Sequence, residues 1–253
     1  MSKRPLPGRC VHCLRDFDVL TWDHVLPESW YPKGTNEQEK WEVPSCDLCN
    51  KRLGKIEENL LIKLGLCLDP LELVSLGIPD RVLRSLNPEL GRDDRDRKHR
   101  QAKREKVLRG IKIFQNLPQQ GIFPNFGPLP NQEYKEYPSV LLDPEEIQKF
   151  AEKIVRGIAY IAGKSFIDET YKIEPFVIDE QKATELKKMV DSTATIFERR
   201  PGLLVKRSLV ENDKVAGIYF LEIWGRFRMY VIVAPKDLEK RLLGAQHRLQ
   251  RTP

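Results

Sequence analysis

The sequence predicts an α+β protein with an N-terminal zinc-stabilised module, a central helical segment ending in a proline-rich linker, and a C-terminal helix followed by an antiparallel sheet. Three observations predict this class. Two Cys-x-x-Cys pairs lie within the first 50 residues, apolar residues recur at helical spacing through the middle of the chain, and β-branched and aromatic residues dominate residues 202–235. The expected parts are residues 1–68, 69–135 and 136–253.

Four of the five cysteines form the pairs that predict the zinc site. Cys10 and Cys13, and then Cys46 and Cys49, are each separated by two residues, and 32 residues lie between the pairs. Two such knuckles give a tetrahedral four-thiolate site, which is closed to water and therefore structural. Four thiols without a metal are the alternative. Cys67 stands in an apolar helical pattern and is expected to be a buried core thiol.

Helices are expected from the second cysteine pair to the linker. Residues 55–66 place apolar side chains three and four apart, and Gly54 permits a sharp turn into that helix. Residues 69–90 contain two short helix starts, and residues 91–114 contain a charged helix of about 15 residues. That charged helix either presents a solvated face or faces phosphates. Residues 116–139 carry five prolines, which indicates a loop or linker.

The C-terminal part combines helices with strands. Residues 143–163 contain an amphipathic helix, in which Asp143 suits the N-cap position and Pro144 the first turn. A shorter helix is expected over residues 179–192. Residues 202–211 and 215–235 predict strands, and the second run splits at Gly225 into a hairpin.

Charge and length limit the classes of protein to which the chain can belong. The chain has 253 residues, of which 40% are hydrophobic and 32% charged, with a net charge of +6 and a pI of about 9.0. Such a surface favours polyanionic partners. No apolar run is long enough for a membrane span, and the start of the chain lacks a secretory signal. We therefore expect a cytoplasmic protein without a membrane partner, and the oligomeric state stays open.

One stretch of the N-terminal module resembles a known family. It covers residues 8–65 and reads CVHC…TWDHVLPESW…VPSCDLCNKRLGKIEENL. This is similar to the HNH nuclease module with supporting zinc knuckles, whose fold is termed ββα-metal. The family pattern places Asp-His on the first strand, a proline soon after, and a His or Asn at the start of the helix. The resemblance implies a metal-dependent endonuclease acting on nucleic acid, with DNA as the expected substrate.

The resemblance also implies roles for individual residues. His24 would be the general base, while Asp23 and Asn50 would hold a hard divalent ion, Mg²⁺ or Mn²⁺. Adjacent side chains on a strand point to opposite faces, so Asp23 and His24 share a site only if the strand twists or ends there. The alternatives are a packed histidine, a surface or turn carboxylate, and an asparagine that caps the following helix.

The match departs from the family at two positions. An asparagine usually precedes the second knuckle, but this chain has Trp41 and Glu42 there, and the final position is Asn50 and not histidine. A catalytically inactive, zinc-stabilised nucleic-acid-binding protein is therefore the alternative function. Glu57 either joins the metal ligands or is a solvated acid near the helix start. The basic residues that either contact phosphates or are ordinary surface charges are Lys51, Arg52 and Lys55.

Overall fold

A computed structural model describes residues 7–35, 41–114, 137–178, 183–199 and 202–237. The helices of these residues are α1 (Asp47–Gly65), α2 (Ile78–Leu86), α3 (Asp94–Gly110), α4 (Pro144–Gly163) and α5 (Thr184–Thr193). The strands are β1 (Gly8–Arg9), β2 (Asp16–Phe17), β3 (Thr21–His24), β4 (Glu42–Ser45), β5 (Ile111–Phe114), β6 (Tyr137–Val140), β7 (Tyr171–Phe176), β8 (Thr195–Arg199), β9 (Leu203–Leu209), β10 (Gly217–Ile223) and β11 (Phe227–Pro235). Short 3₁₀ helices lie at Glu28–Trp30, Leu73–Ser75 and Pro88–Leu90. The α+β class is confirmed.

The N-terminal module follows the order strand, strand, helix. β3 pairs antiparallel with β4, so that Thr21 lies opposite Ser45 and His24 lies opposite Glu42. α1 begins two residues after β4 ends. The short antiparallel pair β1 and β2 brackets the first knuckle.

α1 starts earlier than the sequence predicts. Its N-cap is Cys46, whose Sγ accepts a hydrogen bond from the Cys49 N–H, and the helix runs from Asp47 through Gly54 without a break. Asn50 is therefore the fourth residue of the helix, so the interpretation of Asn50 as the helix cap is wrong. Apolar periodicity alone missed the first turn because that turn packs on the cysteines and not on the main core.

The C-terminal sheet has five antiparallel strands in the order β7-β11-β10-β9-β8. The predicted hairpin is confirmed, with its turn at Trp224 and Gly225, which have φ angles of 51° and 66°. Two positive φ angles are those of a type I′ turn, and the Arg226 N–H closes it by donating to the Ile223 carbonyl oxygen at 3.2 Å. The turn lies in a three-residue connection between the paired Ile223 and Phe227. Two strands were not predicted, and both, β7 and β8, lie at the edges, where β7 tolerates Pro175.

The central segment differs from the prediction in two respects. The first of the two expected short helix starts, at residues 69–70, opens only a turn and the 3₁₀ helix Leu73–Ser75. α2 and α3 form as expected, and none of the described residues of α3 is buried, which fits the solvated alternative. Residues 115–136, most of the predicted linker, lie outside the described residues. The last residues of that stretch pair as β6 with β5, a strand that the sequence did not predict.

One hydrophobic core joins the N-terminal module to the C-terminal part. Trp30 stacks on Phe150 of α4 with ring centroids 4.7 Å apart and on Trp224 with centroids 5.2 Å apart. The Trp224 Nε1–H donates to the Trp30 carbonyl oxygen at 2.8 Å. Cys67, which we expected in this core, is exposed instead. None of the described helices is long and apolar enough to cross a membrane.

Candidate functional site

The four paired cysteines converge on one point. The Sγ atoms of Cys10, Cys13, Cys46 and Cys49 all lie within 4.8 Å of one another. Cys10, Cys46 and Cys49 are buried, and backbone N–H groups point at two of the sulfurs: the Cys46 N–H donates to Cys10 at 3.3 Å, and the Cys49 N–H donates to Cys46 at 3.4 Å. We call this group the cysteine cluster. It can hold a metal ion, and four sulfur donors at tetrahedral spacing suit zinc.

The electrostatics of the cysteine cluster favour a bound cation. Burial acts to raise the pKa of Cys13, but hydrogen bonds involving Arg15 and neighbouring sulfurs lower it to about 7. Burial and the neighbouring thiols raise the pKa of Cys49 well above its usual range. Cys13 therefore ionises more readily than Cys49, because several thiolates this close together repel each other. A zinc ion removes that repulsion, so the residues present fit the ion.

His24 is the last residue of β3 and points away from the core. Its Nε2 lies 3.8 Å from Oε1 of Glu42, the residue directly opposite on β4, and both side chains are 27% exposed. A carboxylate at this place restricts the orientation of the imidazole. Glu42 thus stands near His24 in the stretch where the family usually has asparagine.

Asn50 connects the first turn of α1 to β3. Its Nδ2 donates to Oγ1 of Thr21 at 3.2 Å and more weakly to the carbonyl oxygen of Trp22 at 3.4 Å. Both contacts use the amide nitrogen, so they orient the side chain without using its oxygen.

Asp23 points into the protein, opposite to His24. Its Oδ2 lies 2.8 Å from Nε2 of His12, and its Oδ1 accepts a hydrogen bond from Nζ of Lys153 at 2.9 Å. The same ammonium also donates to Oε1 of Glu57. We call these four residues the buried ion cluster. It joins the first knuckle, β3, α1 and α4, and its side chains are at most 10% exposed.

The charges of the buried ion cluster follow from burial and from Lys153. Burial alone raises the pKa of Asp23, but the His12 hydrogen bond and the Lys153 charge outweigh it, so the net pKa is lowered. Burial lowers the pKa of His12, which favours the neutral ring. Burial raises the pKa of Glu57, and the Lys153 charge opposes that shift. A neutral His12 donates its Nε2–H to the Asp23 carboxylate.

The divalent ion implied by the resemblance does not fit between Asp23 and Asn50 in this arrangement. Both oxygens of Asp23 already have partners, and its side chain is only 6% exposed. Asn50 reaches Thr21 and Trp22 and makes no described contact with Asp23. The structure therefore brings Asp23 together with Lys153 and not with the predicted second ligand.

The predicted phosphate-contacting residues all lie on the outer face of α1. Lys51, Arg52 and Lys55 are exposed, and Lys51 forms an ion pair with Asp47 at 2.7 Å. Arg52 and Lys55 have no such partner among the described ion pairs, so they contribute most of the positive charge at this face.

Sequence reasoning missed Lys153 and His12, although each left a signal. Lys153 lies three residues after Phe150, on the apolar stripe of α4, where a lysine is unusual. His12 lies inside the first knuckle and so was bound to stay near the zinc site. Neither signal predicts that Asp23 is the residue that Lys153 and His12 contact. No protein-family model, curated protein or solved structure matches the chain.

Proposed function

We propose that the chain is an HNH-type endonuclease that hydrolyses phosphodiester bonds in nucleic acid, with DNA as its expected substrate. The observation that carries the proposal is His24, a partly exposed imidazole at the end of β3 with Glu42 opposite it. In its neutral form His24 accepts the proton of an attacking water. Glu42 acts as a positioning residue, since its carboxylate lies 3.8 Å from Nε2 of His24 on the paired strand.

The cysteine cluster supports this function only by stabilising the fold around His24. Four thiolates leave zinc no open position for water, so zinc would hold the frame and not take part in the reaction. The cluster fixes the start of α1 by way of Cys46, and Asn50 then connects α1 to β3. The strand that carries His24 is therefore held from both sides.

The charge distribution supports a phosphate backbone as substrate. Arg52 and Lys55 are exposed on α1, the helix that Asn50 connects to the His24 strand, and the whole chain carries a net charge of +6. Contacts of this kind position nucleic acid without reading its sequence. Binding should weaken steeply as salt rises.

Asp23 favours a second candidate function. The resemblance implies that Asp23 binds a catalytic Mg²⁺ or Mn²⁺. Here, however, its two carboxylate oxygens contact His12 and Lys153. We therefore assign no reaction step to a divalent ion. A zinc-stabilised protein that binds nucleic acid without cutting it is the alternative, and it needs only the cysteine cluster and the basic face of α1.

Plasmid cleavage tests the proposal. We expect zinc-loaded protein to nick or linearise supercoiled DNA in the presence of Mg²⁺ or Mn²⁺, and we expect His24→Ala to lower the rate by about 10²–10⁴-fold, the usual worth of a general base. Glu42→Gln should lower the rate less, since Glu42 only positions the imidazole. His99→Ala is the matched control, because His99 is exposed on α3.

The controls separate the two candidate functions. Zinc content must be equal in every variant. A control without Mg²⁺ or Mn²⁺ must use a chelator at a concentration that leaves zinc bound. Cleavage by His24→Ala at the wild-type rate would reject the nuclease proposal. Salt-sensitive DNA binding without cleavage by any variant would establish the binding protein instead.

A further inference from the structure

Lys153 occupies an unusual place for a lysine. Its side chain is 1% exposed, and its ammonium lies between Asp23 of β3 and Glu57 of α1. Lysine is rarely fully buried unless it is paired, because removing an ammonium from water costs several kcal/mol. Here two carboxylates compensate for that cost, and both belong to the N-terminal module, whereas Lys153 belongs to α4.

The surroundings of Lys153 have the composition of a cation site. Two carboxylates converge on the ammonium, and the His12 imidazole bonds the far oxygen of Asp23. Carboxylates with imidazole suit divalent ions such as Mn²⁺. Two carboxylates against one ammonium leave a net charge of −1, whereas a divalent ion in place of the ammonium would give neutrality. The chain thus uses its own monovalent cation where the donors also suit a divalent one.

We propose that Lys153 is the resident cation of the Asp23–Glu57 pair and that it excludes divalent ions from Asp23 while α4 is seated on the N-terminal module. Removing the ammonium should open a divalent-ion site formed by Asp23 and Glu57, with His12 at its edge. The steric argument is direct, since an ammonium 2.9 Å from Oδ1 occupies the space that an ion would need.

Contacts away from the buried ion cluster also hold α4 on the N-terminal module. Glu146, near the start of α4, accepts hydrogen bonds from Asn59 at 2.9 Å and Lys63 at 3.2 Å, both on α1. Lys153 therefore stays between its two acids in the folded chain. The exclusion of divalent ions does not rest on the proposed function.

Manganese binding to the full-length, zinc-loaded chain tests the inference without any cleavage assay. Wild type should show no Mn²⁺ site that depends on Asp23. Methionine has nearly the same length as lysine without the charge. Lys153→Met should therefore bind Mn²⁺ at least about tenfold more tightly than wild type, the size of effect that the groups around a metal site usually have. Adding Asp23→Asn to Lys153→Met should abolish the gain. Calorimetry and the Mn²⁺ electron paramagnetic resonance signal measure both.

Lys63→Met is the matched control, because it also removes a lysine that connects α1 and α4 but leaves Asp23 untouched. It should bind Mn²⁺ no better than wild type. Lys153→Ala is the second variant, since it removes both the ammonium and the side chain that carries it, and it should show the same gain. Gain in either folded variant supports the inference.

Two results would overturn the exclusion. One is Mn²⁺ binding by wild type that Asp23→Asn removes, a measurement that needs no change at Lys153. The other is the absence of a gained Mn²⁺ site in both folded Lys153 variants. Neither result depends on nuclease activity, so failure of this inference and failure of the proposed function are separate outcomes.

Discussion

At the residue scale, Cys46 has two structural roles. It belongs to the cysteine cluster, and its Sγ accepts the Cys49 N–H at the start of α1. Serine is a good N-cap but a poor zinc ligand, so Cys46→Ser separates these roles. We expect this variant to lose the bound zinc and to unfold its N-terminal module at lower temperature. Metal analysis and circular dichroism of the purified protein measure the two effects.

Cys67→Ser is the control for that substitution. Cys67 is exposed, and its Sγ contacts only the Lys63 carbonyl among the described hydrogen bonds. The variant should keep wild-type zinc content and melting temperature. Full zinc occupancy in Cys46→Ser would show that the cysteine cluster is not the metal site.

Single residues also show which parts of the site could be predicted from the sequence. The zinc site was predictable because a two-residue spacing lets both sulfurs of a knuckle reach one ion. Strand alternation correctly warned that Asp23 and His24 face opposite ways. What Asp23 faces was not predictable, since Lys153 lies 130 residues away in sequence and only the tertiary fold brings it there. Glu42 near His24 likewise needed the register of β3 and β4.

At the element scale, two helical glycines have opposite surroundings. A Cβ added at Gly157 of α4 would lie 2.6 Å and 2.8 Å from the Cγ atoms of Val25, whereas a Cβ at Gly54 of α1 meets nothing within 4 Å. Val25 is the residue after His24, so Gly157 allows α4 to approach the end of β3. The two positions form a matched pair for the same substitution.

Alanine should therefore change stability in opposite directions at these glycines. Gly54→Ala should raise the free energy of unfolding by up to about 1 kcal/mol, because alanine is the better helix former. Gly157→Ala should lower it, since overpacking costs about 1–3 kcal/mol and exceeds that gain. Urea unfolding of each variant measures the difference. Equal effects at both positions would mean that α4 does not pack tightly on Val25.

The elements that the sequence failed to predict have a common cause. β7 and β8 are the edge strands of the C-terminal sheet, and β5 and β6 form an isolated pair. Edge strands are less uniformly apolar than central ones, so their residues do not show the pattern that predicted β10 and β11. The amphipathic helix α4 was found with its first residue correct, because its apolar stripe and its Asp143 cap agree.

At the scale of the whole molecule, two kinds of contact hold the N-terminal module on the C-terminal part. Trp30, Phe150 and Trp224 stack in one apolar core, while the buried ion cluster crosses the same interface close to Val25. Apolar contact stabilises the interface without direction, whereas Lys153 reaches its two acids at only one seating of α4. The charged contact therefore fixes the arrangement that the apolar contact stabilises.

Thermal unfolding tests whether this shared core makes the two parts one cooperative unit. In wild type, zinc release and loss of the sheet signal in circular dichroism should occur at the same temperature. Trp30→Ala should lower the free energy of unfolding by about 3–5 kcal/mol, since Trp30 is fully buried, and it should move both transitions together. Trp22→Ala is the control, because Trp22 is 36% exposed and should cost less. Separate transitions in wild type would show that the module and the sheet unfold independently, and Lys153 would then leave Asp23 before the sheet melts.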